Sequence, residues 1–329
     1  MKDEGLVMNK NLLIRYVLLI LLLVMGLASC ATPPPLRPLR VAWIPFPGYY
    51  PLLIAQEKGF FAKHGASVEP VAYENIADVY IDLAAGKIDG TCIPLGEALR
   101  LEGRNPGSLR AVLAIDHSVG ADAIIASPEV KGPADLVGKK VGVSLGTFGE
   151  LLARTMFEAN GIQPGDVTFV NVAPEDMLRA IPDEVDAGHV WEPYLSQGKA
   201  QGLNVLYTSA AEPGLISDVV VFQKHITENH AEELRGFTAG WFEALEWQRD
   251  NPAESSLFLA QLTNQPVEAI STEGLQMLSL EDNVKAFTSN ADFTSLYSSA
   301  QANVAFYVRS GMISSEPNIT QFLDASFLR

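Results

Sequence analysis

Short apolar runs alternate with amphipathic segments through most of this 329-residue chain, and no other feature restricts the possible fold as strongly. The first unit, Val41 to Phe61, begins as an apolar strand, turns at a Pro/Gly/aromatic stretch and continues with helical spacing. Further strands are predicted at Ala66 to Val71 and Ile88 to Ile93, with helices at Asn75 to Ala85 and from Pro94 onwards. Because parallel strands need a crossover connection, usually a helix, this alternation predicts an α/β fold with mostly parallel, helix-covered sheets.

The alternation is interrupted where Leu109 to Asp116 and Gly120 to Ala126 follow each other as two strand-like runs, with no room for a helix between them. We expect the chain to pass here into a second α/β lobe, in which the alternation resumes from Lys140 to Gln201. The strand-like run Leu215 to Gln223 would then carry the chain back. The predicted division is residues 39–122 plus 219–329 for lobe 1 and residues 123–218 for lobe 2.

The chain beyond Gln223 is predicted to be entirely helical. Thr227 is a candidate N-cap for a helix with an apolar stripe at Leu234, Phe237, Trp241 and Leu245, and Asn251-Pro252 ends that helix. A second stripe runs from Phe293 to Tyr307. Stripes at this spacing are typical of core-facing helices rather than of functional sites.

The N-terminus has the layout of a bacterial export signal. Lys10 and Arg15 precede an apolar stretch, Val17 to Leu27, which is shorter than the roughly 20 residues of a spanning helix. The stretch ends in Leu-Ala-Ser-Cys, which closely resembles the lipoprotein signal in which the cysteine becomes the lipidated N-terminus. The sequence therefore predicts a signal peptide over residues 1–30 and lipidation of Cys30, with a plain signal peptide or a short membrane helix as the alternatives.

Residues 31–38 are rich in proline and predict an extended tether that holds the folded part away from the membrane. Asp3 and Glu4 are unusual in a signal peptide, so translation could start at Met8 instead of Met1. The protein is predicted to be exported and lipid-anchored at the bacterial cell membrane. Ala31 gives no clear retention signal, so the choice of inner or outer membrane stays open.

Composition restricts the function further. The net charge is −16 and no block of Lys or Arg occurs, which argues against nucleic-acid binding. The chain has two cysteines, Cys30 and Cys92, and five scattered histidines, so we expect neither a disulfide framework nor a metal site. The glycines at 132 and 138 miss the spacing of a phosphate loop. No convincing catalytic set is present, and no cofactor is predicted.

Four segments together resemble the substrate-binding proteins of bacterial ABC importers, in the nitrate/sulfonate/taurine (NMT1/THI5-like) family. They are WIPFPGYYPLLIAQEKGFFAKHG from Trp43, DHSVGADAIIA from Asp116, DLVGKKVGVSLGT from Asp135, and VDAGHVWEPYL from Val185. The resemblance extends over most of the chain after the signal. It implies a two-lobe periplasmic-binding-protein fold of type II, which closes about a hinge on a ligand in the cleft.

The resemblance also places a set of loop residues in that cleft. Some of them follow the first and third strands, and others lie at the two crossings between lobes. The rest lie at the start of the helix after Ser144 or in the Trp-Glu-Pro segment. The predicted ligand-binding residues are Phe46, Gly48, Tyr49, Leu95, Glu97, Asp116, Ser118, Gly146, Thr147, Phe148, Trp191, Glu192 and Asp218.

Each of these residues also has a structural alternative. Gly146 and Thr147 precede a helix whose free N–H groups could bind an anion, or they form a plain N-cap. Trp191 could stack on a flat ligand or pack between the lobes. The carboxylates could hold an amine, or they could be solvated or accept backbone N–H bonds.

The only basic residue in the candidate cleft segments is Arg154, which makes a simple oxyanion a poor fit and favours a zwitterion or a heterocycle.

The predicted function is the capture of a small nitrogen- or sulfur-containing organic solute by a monomer that delivers it to an ABC permease with its ATPase. A lipid-anchored sensor for a membrane partner shares every binding feature. A binding protein for a thiamine-pyrimidine precursor is a further alternative. An enzyme of pyrimidine synthesis is the weakest alternative, because the export signal and the missing cysteine cluster argue against it.

Overall fold

Two β-sheets form the framework of the protein in the computed structural model, which describes residues 37–267 and 270–328. The predicted signal peptide, Cys30 and the tether up to residue 36 lie outside the described residues. Pro38–Arg329 forms one unit. Among the described residues, no helix is both long and apolar enough to cross a membrane.

The strands of both sheets are short. They are β1 (Leu39–Trp43), β2 (Val68–Ala72), β3 (Gly90–Pro94), β4 (Leu109–Ser118), β5 (Asp122–Ala126), β6 (Lys140–Val143), β7 (Thr168–Asn171), β8 (Ala187–Trp191), β9 (Asn204–Thr208), β10 (Ser217–Gln223) and β11 (Leu275–Met277).

Helices connect most of these strands and form the C-terminal part. They are α1 (Tyr50–Glu57), α2 (Phe60–Lys63), α3 (Ile76–Ala84), α4 (Leu95–Arg104), α5 (Phe148–Ala159), α6 (Pro174–Ala180), α7 (Tyr194–Ala200), α8 (Lys224–Asn229), α9 (Ala231–Asp250), α10 (Pro252–Thr263), α11 (Leu280–Ala286), α12 (Leu296–Arg309) and α13 (Ile319–Phe322).

The first sheet has the strand order β11-β4-β10-β3-β1-β2. Strand β1 is parallel to both β2 and β3, as the strand–helix alternation predicts. The returning strand β10 inserts antiparallel between β3 and β4, so that Asp218 lies opposite both Pro94 and Asp116. All five residues of β3 are buried, which is typical of a central strand covered on both faces.

The second sheet has the order β7-β6-β8-β5-β9. Strand β6 is parallel to β7 and β8, whereas β5 is antiparallel to β8 and β9. The chain enters this sheet directly from β4, because only residues 119–121 separate β4 from β5. A bundle of buried apolar side chains surrounds the first sheet, and two smaller clusters cover the second sheet. The two-lobe α/β architecture predicted from the sequence is therefore confirmed.

Three expectations about individual elements are wrong. The C-terminal part is not entirely helical, because β11 adds an edge strand to the first sheet beside β4. Thr227 is not an N-cap: it lies inside the short helix α8, and its hydroxyl donates to the Lys224 carbonyl at 2.8 Å. Phe293 precedes α12 instead of belonging to it. Strand β9 was not expected at all.

Candidate functional site

A cavity of about 120 Å³ lies between the two sheets, at the carboxyl ends of β1, β3 and β8 and beside the turn that follows β6. A single buried water needs only about 10–15 Å³, so this space suits a small organic molecule. Crevices at the carboxyl ends of strands are the usual ligand sites of open α/β sheets. The lining residues are Ile44, Phe46, Tyr49, Ile76, Tyr80, Pro94, Glu97, Arg100, Asp122, Ser144, Thr147, Phe148, Trp191, Ile216 and Asp218.

The turn after β1 supplies the aromatic wall on the side of the first sheet. Pro47 to Tyr49 form a single 3₁₀ turn, and α1 begins directly afterwards at Tyr50. This tight turn brings Phe46 and Tyr49 together edge to face, with ring centroids 5.0 Å apart. Tyr49 is almost fully buried, at 1% exposure. The proline and glycine that break the strand thus direct two aromatic rings into the cavity.

The second sheet contributes a matching aromatic wall. Trp191 is the last residue of β8, and Phe148 is the first residue of α5. Their rings are 5.9 Å apart and inclined by 30°, and both rings pack against His189. A flat ligand can therefore contact aromatic faces from both sheets.

Three buried aspartates lie next to this cavity. Asp122 and Asp218 line it, and Asp116 lies behind Asp218 on the neighbouring strand β4. Burial raises the pKa of Asp218 to about 7, and the nearby charge of Asp122 adds to this effect, while a hydrogen bond donated by the Tyr49 hydroxyl opposes it. Burial, followed by the charges of Asp218 and Asp122, also raises the pKa of Asp116 well above its usual range. At least one of these carboxyl groups therefore holds a proton near neutral pH when no positive charge is nearby.

Two of the lining acids have basic partners. Arg100 donates two hydrogen bonds to Oε2 of Glu97, at 2.8 Å from Nε and 2.6 Å from Nη2, and the Tyr307 hydroxyl donates to Oε1 at 3.2 Å. Asp122 Oδ1 lies 3.1 Å from Nε2 of the buried His189. Arg100, which lines the cavity, and His189, which lies behind it, are thus already engaged by acids.

Seven of the thirteen predicted site residues line this cavity. They are Phe46, Tyr49, Glu97, Thr147, Phe148, Trp191 and Asp218. Their contact with a ligand stays a prediction. Thr147 is also the N-cap of α5, because its Oγ1 accepts a hydrogen bond from the Gly149 N–H at 3.2 Å.

The other six predicted residues do not line the cavity. Gly48 and Leu95 are buried next to the first sheet. A Cβ on Gly48 would lie 2.2 Å from Asp116 Oδ2. Asp116 is therefore behind the cavity wall. The Ser118 hydroxyl forms a hydrogen bond with the Ser209 hydroxyl at 2.7 Å. This bond stabilises the segment in which the chain passes from one sheet to the other.

Gly146 and Glu192 have local roles at helix starts. The Gly146 N–H donates to Oε2 of Glu150 at 2.8 Å, so it is not available to an anion. Glu192 accepts hydrogen bonds from the backbone N–H and the hydroxyl of Ser196, at 3.1 and 3.0 Å, in the first turn of α7.

The sequence interpretation also missed part of the lining. Tyr80 and Arg100 lie on helices α3 and α4, and their helical spacing from Ile76 and Glu97 could have placed them on the same faces. Arg154, the only basic residue of the candidate cleft segments, forms an ion pair with Glu150 at 2.6 Å and does not line the cavity. The remaining lining residues outside the thirteen are Ile44, Ile76, Pro94, Asp122, Ser144 and Ile216.

Comparison with solved structures identifies the fold. The chain superimposes on the periplasmic aliphatic sulphonate binding protein of Escherichia coli with a TM-score of 0.72 at 18% identity, covering 88% of this chain and 98% of the other. Two α/β lobes with a cavity between them at the strand ends therefore define a periplasmic binding protein fold.

Sequence comparison then identifies the family. The NMT1/THI5-like family model matches residues 47–255, and the chain belongs to this family. A candidate binding protein of Brucella abortus is 30% identical over 226 residues, which make up 66% of this chain and 69% of the relative. A candidate aliphatic sulfonates-binding protein of Bacillus subtilis is 27% identical over 260 residues, or 74% of this chain and 77% of the relative.

Proposed function

We propose that this protein is the extracytoplasmic solute-binding subunit of an ABC importer. The observation that carries the proposal is the cavity lined from both sheets, in a chain whose family relatives are named as binding proteins. The proposed solute is a small nitrogen- or sulfur-containing organic molecule, which the protein presents to a permease that works with an ATPase.

We further propose that residues 39–122 plus 219–329 and residues 123–218 move as two bodies. A ligand first held by Phe46 and Tyr49 would gain contacts with Phe148 and Trp191 when the cleft closes, and these added contacts would stabilise the closed form. In this proposal the protein works as a monomer, and lipidation at Cys30 keeps it at the membrane.

Replacing Trp191 by Ala tests this function. We expect the ligand affinity to fall by at least about tenfold, which corresponds to about 1.4 kcal/mol, because a large aromatic contact is removed from the cavity wall. The fragment from residue 31 contains the whole described unit. Its thermal unfolding is measured with taurine, alkanesulfonates, nitrate, bicarbonate, aromatic carboxylates, pyrimidines and polyamines. A ligand at about a hundred times its Kd adds about 2.7 kcal/mol to the free energy of unfolding, enough for a measurable shift in Tm.

Trp247→Ala is the matched control. Trp247 is also partly buried, but it lies on α9 under the Lys58 ammonium group, 3.8 Å from its ring centroid, and does not line the cavity. The proposal expects a panel compound to protect the wild type and the Trp247→Ala variant, and to protect the Trp191→Ala variant much less. Equal protection of all three proteins, or protection by no compound, would contradict it.

A further inference from the structure

The charged groups around the cavity indicate which kind of solute it binds. Three acids, Glu97, Asp122 and Asp218, line the cavity, whereas Arg100 is the single base among the lining residues that the structure describes. An anionic ligand would meet this acidic surplus without an uncommitted cation, because Arg100 already forms two hydrogen bonds with Glu97. Burial makes such a mismatch costly, since charges interact more strongly away from water.

The orphaned oxygen of Asp116 is independent evidence that positive charge is missing here. Asp116 is 1% exposed, and its Oδ2 has no hydrogen-bond partner within the described part of the chain. Asp116 lies directly opposite Asp218 in the ladder between β4 and β10, and Asp218 faces the cavity. A buried acceptor without a donor is expensive, and native proteins rarely retain one without a reason. Without a cation at least one of these groups holds a proton, and a cation bound at Asp218 would offset the negative charge that both carry once ionised.

The walls of the cavity also suit a flat cation. Phe46, Tyr49, Phe148 and Trp191 present aromatic rings from both sheets. The negative face of an aromatic ring attracts a cation and repels an anion. A metal ion is a poorer occupant, since no group of three or more His, Cys, Asp or Glu among the described residues is arranged to hold one.

We infer that the solute is a flat organic cation whose N–H groups donate hydrogen bonds to Asp218 and Asp122. Such a solute could be an amidinium or a protonated amino-heterocycle. Asp218 can accept from it beside the Tyr49 hydroxyl, and Asp122 beside His189, because a carboxylate offers about four acceptor positions. This inference rests on the proposed function. The inferred solute differs in charge from the sulfonates after which some relatives are named.

Three probes that share one ring skeleton test the inference. Benzamidine is a cation, benzamide is its neutral analogue and benzenesulfonate is an anion. We expect 10 mM benzamidine to raise the Tm at pH 8, benzamide to bind at least about tenfold more weakly, and benzenesulfonate to leave the Tm unchanged. The affinity of Asp218→Asn for benzamidine should also fall at least about tenfold. Asp250→Asn, which removes the same charge at an exposed position at the end of α9, should keep the wild-type affinity.

Two results would overturn this inference. One is an unchanged Tm with benzamidine, and the other is protection by benzenesulfonate that the Trp191→Ala variant loses. The second result would leave the proposed binding function intact, because the cavity would still be the site. Failure of the proposed function would instead be seen when neither a panel compound nor any of the three probes protects the protein in a Trp191-dependent manner.

Discussion

The ligand-free wild-type protein should lose stability between about pH 4 and pH 7 relative to the Asp218→Asn variant. Burial is the main reason that the pKa of Asp218 rises from its usual 3.8 to about 7. A carboxyl with a raised pKa binds its proton more tightly in the folded state. Its stabilising contribution is therefore complete below about pH 4 and is lost as the pH rises through about 7.

The expected size of this effect is large. One pKa unit corresponds to about 1.4 kcal/mol, so the change from 3.8 to about 7 represents on the order of 4 kcal/mol for this site. An asparagine at position 218 can still accept the hydrogen bond from Tyr49, but it carries no charge at any pH. The variant should therefore gain relative stability with increasing pH and be the more stable protein at pH 8.

Urea unfolding of both proteins at several values between pH 4 and pH 8 measures this difference. Other acids with shifted pKa values, such as Glu97 and Asp186, are present in both proteins, so their contributions cancel in the comparison. The charge of Asp218 raises the pKa of Asp116, so proton binding by Asp116 will also change in the variant. This change alters the pH at the midpoint of the stability difference but not its direction. Asp250→Asn is the control and should follow the wild type. Parallel stability curves for wild type and Asp218→Asn would show that Asp218 is not a buried acid.

Gly48→Ala should destabilise the protein by about 1–3 kcal/mol and weaken ligand binding. A Cβ at this position would lie 2.2 Å from Oδ2 of Asp116 and 2.9 Å from Cε1 of Phe46. Asp116 is buried and has little room to move, and a shift of Phe46 would disturb its edge-to-face contact with Tyr49. The added methyl group would therefore displace the turn that positions two cavity residues.

A second variant identifies the cause of this loss. Asp116→Ala removes the closest clashing atom, so the double variant Gly48→Ala/Asp116→Ala should lose less stability than the sum of the two single changes. Gly132→Ala is the control, since no atom lies within 4 Å of the Cβ position there. Urea unfolding of the set gives the coupling energy. Strict additivity would mean that the loss does not come from the contact with Asp116. An undiminished stability of Gly48→Ala would mean that the turn can move without cost.

The overall fold was largely predictable because hydrophobic periodicity and turn residues act locally. The helix after Ser144 and the parallel strands β1, β3, β6 and β8 follow from such patterns. Strand β11 is only three residues long, and β9 lies at a sheet edge and has no fully buried residue. Their pairing depends on distant strands, so local sequence carries little information about them.

The candidate site was predictable only in part, for a related physical reason. Residues in loops at the carboxyl ends of strands, such as Tyr49 and Trp191, could be placed by topology alone. Tyr80 and Arg100 lie on helices, and their presence in the cavity depends on how each helix is rotated against the sheet. Asp116 and Asp218 lie directly opposite each other in the ladder, but only Asp218 lines the cavity. Helical spacing shows which residues share a helix face, but one sequence does not show which face, or which of two paired strands, borders the cavity.

A crystal structure of residues 31–329 with the probe that gives the largest rise in Tm is the most direct test of the account. We predict electron density for that probe between Tyr49 of the first sheet and Phe148 and Trp191 of the second, with its donor groups directed at Asp218. Density at another surface, such as the groove formed by Arg154 and Arg309, with the cavity between the sheets empty, would contradict the account.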